Sequence, residues 1–91
     1  MKRIEAAARG RVQGVGFRYF VDDCAEQAGV TGFVRNMPDG SVFIVAEGSD
    51  DSLDRFLHMV RAPDKSRIRV DSLDTARREA TGEFTEFQIR L

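Results

Sequence analysis

A single cysteine, Cys24, and a single histidine, His58, stand among the 91 residues, and each scarcity excludes something. One cysteine forms no internal disulfide and offers no zinc cluster, which favours a reducing compartment. His58 lies beside an apolar helical stripe, remote in sequence from any other candidate group, and reads as a surface or boundary residue rather than a catalytic base. Charge of one sign is not in excess either. With 14 basic residues against 15 acidic there is no overall basic field of the kind that drives nonspecific nucleic-acid binding, so any anion site has to be local. No stretch approaches the roughly 18 apolar residues of a membrane span, and the first twenty residues lack the apolar run of a signal peptide. The expectation is a cytoplasmic protein that meets neither membrane nor nucleic acid. Composition, 42% hydrophobic and 32% charged, suits one domain over residues 1–91 with one core, burying roughly 60–65% of the unfolded surface.

Against these absences one stretch stands out, Gly10-Arg-Val-Gln-Gly-Val-Gly-Phe-Arg18. Lys2 to Arg9 before it alternates, with Ile4, Ala6 and Ala8 on one face, as a half-buried strand does. Phe17, Phe20, Val21, Cys24, Ala25 and Ala28 after it recur as one helical stripe, which Gly29 ends. The three glycines therefore mark a strand-to-helix corner, where the first helical N–H groups have no internal partner and no Cβ blocks a ligand. Arg18 falls in the first turn, at the positive end of the macrodipole, a mildly unfavourable place that a bound anion would relieve. Cys24, inside the apolar stripe, reads as a small buried hydrophobe and not as a nucleophile.

Further on, Thr31–Asn36 and Ser41–Gly48 flank Met37-Pro38-Asp39-Gly40 and predict a β-hairpin. Val42, Ile44 and Ala46 form its helix-facing side; Phe43 and Val45, near Phe33, face outward, where cover by the chain's own tail is preferred to a partner site. Ser49-Asp50-Asp51 caps a second helix carrying Leu53, Phe56, Leu57 and Val60, closed by Pro63. Arg67–Leu73 predicts an exposed edge strand, Thr75–Gly82 a polar loop that includes Arg77 and Arg78, and Phe84–Leu91 a short last strand. The order is β-α-β-β-α-β plus one strand. It predicts an α+β split sandwich with two helices on one face of a mostly antiparallel sheet.

Spacing rules out familiar nucleotide loops. Val15 stands where a Walker loop needs glycine, and Tyr19 where the dinucleotide fingerprint does. Gly10–Arg18 contains no Cys, Ser, Thr, Asp or His, so the chain supplies no nucleophile there and hydrolysis would use water directly.

The stretch Gly10–Arg18, together with Gly32-Phe-Val-Arg-Asn36, Asp39-Gly40-Ser-Val, Ala46-Glu-Gly48, Gly82-Glu-Phe84 and Phe87-Gln-Ile-Arg90, closely resembles the acylphosphatase family over nearly the whole chain. The resemblance implies a ferredoxin-like fold, hydrolysis of a carboxyl–phosphate anhydride, a phosphate held by Arg18, and a water positioned by Asn36. It implies neither metal nor cofactor; acyl phosphate and its phosphate product are the partners expected, and a monomer is the form expected. The phosphate loop would comprise Gln13, Gly14, Val15, Gly16, Phe17 and Arg18, Gln13 either lining the pocket or shaping the loop. Phosphoryl transfer asks chiefly for positioning and charge stabilisation, which N–H groups and a guanidinium supply. A carboxylate with a conjugate acid of pKa roughly 4 departs without a general acid, whereas an alkoxide needs one, so the acid-free loop favours an acyl phosphate over a phosphate monoester. Asp39 is explained by its turn.

Two features depart from the family pattern, Phe33 where many members carry Trp and Ala62-Pro63-Asp64-Lys65 after the second helix. Arg77 and Arg78 leave room for a larger anionic substrate, a solvated loop being the simpler reading. The competing function is a noncatalytic RNA-binding module in which Phe33 and Phe43 stack on bases, disfavoured by the balanced charge. An anion-handling domain of the kind that opens a hydrogenase maturation protein would use the same loop, but the expectation here is a single domain with no further ones. Nothing in the sequence marks a reader of the acyl group.

Overall fold

The structure is a computed structural model describing residues 1–91. Seven elements follow one another: β1 (Lys2–Arg11), α1 (Phe17–Ala28), β2 (Thr31–Asn36), β3 (Val42–Gly48), α2 (Asp50–Arg61), β4 (Arg69–Glu79) and β5 (Phe87–Arg90). The strands form one sheet in the order β4-β1-β3-β2-β5. Every pairing is antiparallel except β2 with β5. This is the ferredoxin-like arrangement the pattern predicts, with the added strand at one edge.

Alternation decides which side of the sheet meets the helices. Ile4, Ala6 and Ala8 of β1, Val34 of β2, and Val42, Ile44 and Ala46 of β3 share one buried cluster with Phe17, Val21, Cys24 and Ala25 of α1 and Leu53, Phe56 and Val60 of α2. Both helical stripes are thus core. The helix ends differ in a way that bears on function. The Ser49 Oγ accepts from the Ser52 N–H at 3.1 Å, and Asp50 and Asp51 occupy the first turn of α2, whereas Gly16 precedes α1 with no side-chain cap and no acid in its first turn.

The opposite sheet face is covered by the chain's own tail, as expected. Phe33 meets Phe43 and Phe84 with centroids 6.0 and 5.9 Å apart, the Arg90 guanidinium stacks 4.0 Å above the Phe33 ring, and Val45 is fully buried. A buried carboxylate fastens that tail. Glu47 accepts from the Thr81 N–H (2.9 Å), the Thr81 hydroxyl (3.0 Å), the Gly82 N–H (3.0 Å) and the Arg3 guanidinium (3.2 Å). Burial alone would raise its pKa, but these hydrogen bonds to the charged form outweigh it and hold the carboxyl below its ordinary value.

Several strand boundaries differ from the sequence expectation, β4 beginning at Arg69 where Arg67 was expected. Residues 75–79, expected in a loop, continue β4, because an edge ladder is made by main-chain groups and does not require apolar alternation. Within it Arg77 donates to Asp50 (2.8 Å) and Asp54 (2.7 Å), and the Arg78 guanidinium lies 3.5 Å from Glu5, so these arginines pair with the chain's own acids. The last strand begins at Phe87, three residues later than expected, and Leu91 is exposed. Strand β1 runs through Gly10 to Arg11, with a bulge at Arg9/Gly10. Gly10 therefore belongs to the sheet: a Cβ there would sit 2.3 Å from the Arg69 carbonyl oxygen.

Candidate active site

The site begins where β1 gives way to α1. Gly14 and Gly16 both take positive φ, 73° and 81°, which turns the chain tightly enough for α1 to start at Phe17. At the head of the helix the Phe20 N–H reaches the Gly16 carbonyl at 3.1 Å. The N–H groups before it are the orphans that every helix start leaves, and no side chain of the protein caps them. Gly14, Gly16, Phe17, Arg18 and Asn36 line one small hollow of about 190 Å³. Of the residues expected at the site, this hollow unites all but Gln13 and Val15.

Gln13 has a different place. Its Nε2 donates to the carbonyls of Met37 (2.9 Å) and Ser41 (2.8 Å), the two ends of the β2–β3 turn. The amide thus ties the loop to the hairpin whose first arm ends in Asn36. The turn is closed from within: Asp39 Oδ1 accepts from the Ser41 hydroxyl (2.6 Å) and N–H (3.0 Å), and Oδ2 from Arg9 (3.2 Å). The bonds from Ser41, then that from Arg9, hold the Asp39 carboxyl down to about 2. Val15 lines a neighbouring, larger hollow instead.

Two side chains give the small hollow its chemistry. Arg18 donates Nη1 to the main-chain carbonyl of Arg90 at 2.9 Å, using one of five guanidinium donors. That carbonyl belongs to β5, remote in sequence, and sequence reasoning missed it. Asn36 closes β2, and its Oδ1 is buried without any hydrogen-bond partner. A buried unpaired acceptor is uncommon, and an ordered water or ligand is its usual complement. His58 is exposed on α2. Cys24 is buried, with its thiol pushed up to about 11, first by burial and then by Asp23 and Asp64, so no thiolate is available near neutral pH. No group of three or more His, Cys, Asp or Glu is placed to hold a metal ion, and no helix is long and apolar enough to cross a membrane.

Fold and site together define an α+β sandwich with a small hollow at an uncapped helix start, lined by an arginine and an asparagine. Comparison with known proteins narrows that class. The acylphosphatase family model matches residues 4–89. The acylphosphatase of Methanospirillum hungatei is 43% identical over 90 residues, covering 99% of this chain and 98% of its own length, and that of Methylococcus capsulatus is 45% identical over 89 residues, covering 98% and 96%. The crystal structure of the Bacillus subtilis acylphosphatase superposes with a TM-score of 0.90 at 33% identity, each chain covered in full. The chain belongs to the acylphosphatase family, hydrolases that act on acid anhydrides.

Proposed function

We propose that this protein hydrolyses acyl phosphates to a carboxylate and inorganic phosphate, by direct attack of a water that Asn36 positions on a phosphoryl group held by Arg18 and the loop N–H groups. The observation that carries this reading is the small hollow itself. Within about 190 Å³ it joins an uncapped helix start, a guanidinium and an amide with an unpaired buried oxygen.

The phosphoryl oxygens take the N–H groups from Val15 to Arg18 and the free donors of Arg18, an array preorganised for negative charge that needs no reorientation during reaction. A water donating one hydrogen to Asn36 Oδ1 turns a lone pair to phosphorus. As its oxygen bonds to phosphorus, the bond from phosphorus to the acyl oxygen breaks and that electron pair leaves on the carboxylate. The water's proton goes to a phosphoryl oxygen. A leaving group with a conjugate acid of pKa roughly 4 takes no proton, consistent with a hollow whose lining includes no carboxylic acid or histidine. All groups come from one chain, so a monomer suffices, and neither metal nor cofactor enters a step.

The test is hydrolysis of acetyl phosphate in the presence of EDTA by wild type, Arg18→Ala and Asn36→Ala. Each variant is expected to lose roughly 10²–10³-fold in kcat, the scale of one lost transition-state contact, and inorganic phosphate to inhibit competitively. A wild-type rate equal to that of buffer, or full activity in Arg18→Ala, overturns the reading.

A further inference from the structure

We infer that Arg11, Arg35 and Arg67 form a rim of free positive charge that gathers phosphoryl dianions toward the small hollow without touching them during reaction. The inference rests on the hydrolysis proposed above and adds the residues that deliver the anion to the site.

The rim emerges once paired and unpaired charges are separated. Half of the 14 basic residues are ion-paired with a carboxylate of the chain, Arg77 and Arg78 among them. The other half carry a charge that no acid answers. Arg18 is the proposed phosphate ligand, the Arg90 guanidinium is stacked on Phe33, and Arg55 and Arg61 lie on α2. The three that remain, Arg11, Arg35 and Arg67, are all exposed, and all border the site. Arg11 ends β1 and is followed by Val12, which lines the small hollow. Arg35 directly precedes Asn36, and its one side-chain contact is a neutral one, from Nε to Met37 Sδ at 3.4 Å. Arg67 lines the neighbouring larger hollow together with Gly16 and Tyr19, which line the small one as well.

Opposing charge is scarce there. The small hollow has no acid in its lining. The larger one has two, of which Asp64 stands 3.9 Å from Lys65 and only Asp23 is free. Asp39 and Asp71 are held by Arg9 and Arg69. A net charge of −1 for the whole chain therefore conceals a positive rim around the hollow.

Distance decides which charges count. Adjacency in the chain keeps the three guanidinium groups within roughly 10–20 Å of the hollow, one to two Debye lengths at about 0.1 M salt and less than one at about 10 mM. Lys2, at the far end of the ten-residue strand β1, lies about 30 Å from Arg11. A unit charge some ~12 Å from a dianion strengthens its binding roughly twofold at about 10 mM salt, so three multiply to about tenfold; at about 0.5 M the screening leaves less than twofold.

The experiment measures the inhibition constant of inorganic phosphate, and kcat and KM for acetyl phosphate, at ionic strengths of about 10 mM and about 0.5 M. It compares wild type with the triple variant Arg11→Gln/Arg35→Gln/Arg67→Gln and with a charge-matched control, Lys2→Gln/Arg55→Gln/Arg78→Gln, whose residues lie on α2 and toward the far ends of β1 and β4. Arg18→Ala monitors the chemistry. The rim variant is expected to weaken phosphate inhibition and raise KM about tenfold at low salt, with kcat changed less than about twofold and the deficit shrinking below about twofold at high salt. The control is expected to stay within about twofold of wild type at both. Equal effects of rim and control, or a rim deficit that persists at high salt, overturn the rim while leaving hydrolysis intact. A wild type inert toward acetyl phosphate, or an Arg18→Ala as active as wild type, overturns the hydrolysis and the rim with it.

Discussion

Arg18, on the first turn of α1, is held by the last strand of the chain: its Nη1 meets the main-chain carbonyl of Arg90 at 2.9 Å. Arg90 is held in turn, its guanidinium stacked 4.0 Å over Phe33 and its backbone paired in parallel register with Arg35. The acceptor for the proposed phosphate ligand is therefore a backbone group set by β5. Removal of Arg90 and Leu91 deletes that acceptor, and a hydrogen bond to a charged group is worth about 1.5–3 kcal/mol. Truncation is expected to raise KM for acyl phosphate about tenfold. Arg90→Ala keeps the carbonyl and loses only the exposed stacking, of order 0.5–1 kcal/mol, so its KM should rise less than about threefold. Steady-state kinetics on the two variants check the order; an Arg90→Ala as damaging as the truncation would assign the effect to the side chain.

The loop glycines predict a split between stability and activity. Gly10 has φ of 132° and no room, a Cβ there lying 2.3 Å from the Arg69 carbonyl oxygen, while Gly16 has φ of 81° and nothing within 4 Å of a Cβ. Gly10→Ala must push β4 away from β1 as well as adopt a strained backbone, and is expected to cost about 2–4 kcal/mol. Gly16→Ala carries the backbone strain alone, about 1–2 kcal/mol. Activity should rank the other way, because Gly16 lines the hollow proposed to hold phosphate and Gly10 does not. Urea midpoints and kcat/KM on both variants test the crossing, and parallel losses in both measurements would refute it.

How much of this was readable from the sequence depends on whether side chains or main chain carried the information. The hairpin was legible because Pro38, Asp39 and Gly40 each favour a turn for their own reason, and both helices because their apolar stripes continue uninterrupted to a capping residue. Asn36 was singled out only by the family resemblance of the long motifs, and Arg18 also by its place at the end of the glycine corner. The far half of β4 was not, since Thr75–Glu79 pairs with β1 through main-chain groups while its side chains face water and neighbouring acids. The Arg18–Arg90 contact was not, because a carbonyl acceptor has no identity in sequence. The burial of Glu47 was not legible either, since it follows from Thr81 and Gly82, more than 30 residues away.

Glu47 predicts how stability depends on pH. Its folded pKa lies below the ordinary 4.5, so the carboxylate's contribution is complete above the unfolded value and is lost as pH falls through the folded one. Glu47→Gln keeps the shape, leaves Arg3 without a buried counter-charge and removes charge-assisted bonds, an expected loss of about 1.5–3 kcal/mol at pH 7. The gap between wild type and variant should narrow below pH ~4.5 and be smallest in the most acidic buffer in which both fold. Chemical unfolding at pH 7, 5 and 3.5 measures it; a gap that stays constant would mean that Glu47 contributes by packing and not by charge.

Gln13 supplies the sharpest test of how the two halves of the site are joined. Its Nε2 spends both hydrogens on the Met37 and Ser41 carbonyls, so the loop and the Asn36 hairpin share one donor group. Gln13→Glu preserves the size and removes the donors: ionised, the carboxylate faces two carbonyl oxygens with nothing to offer them. That repulsion, added to two lost bonds, should cost about 2–3 kcal/mol at pH 7. Because the folded site disfavours the charged form, the new carboxyl's pKa is raised, and the penalty relative to wild type grows as pH climbs above about 4.3, the ordinary glutamate value. Activity should follow, since a hairpin released from the loop carries Asn36 with it: kcat is expected to fall about tenfold or more while phosphate inhibition, which in the proposed mechanism depends on Arg18 and the helix start, weakens less than about threefold. If phosphate affinity falls as far as kcat, Gln13 acts on the cradle itself rather than on the placement of Asn36.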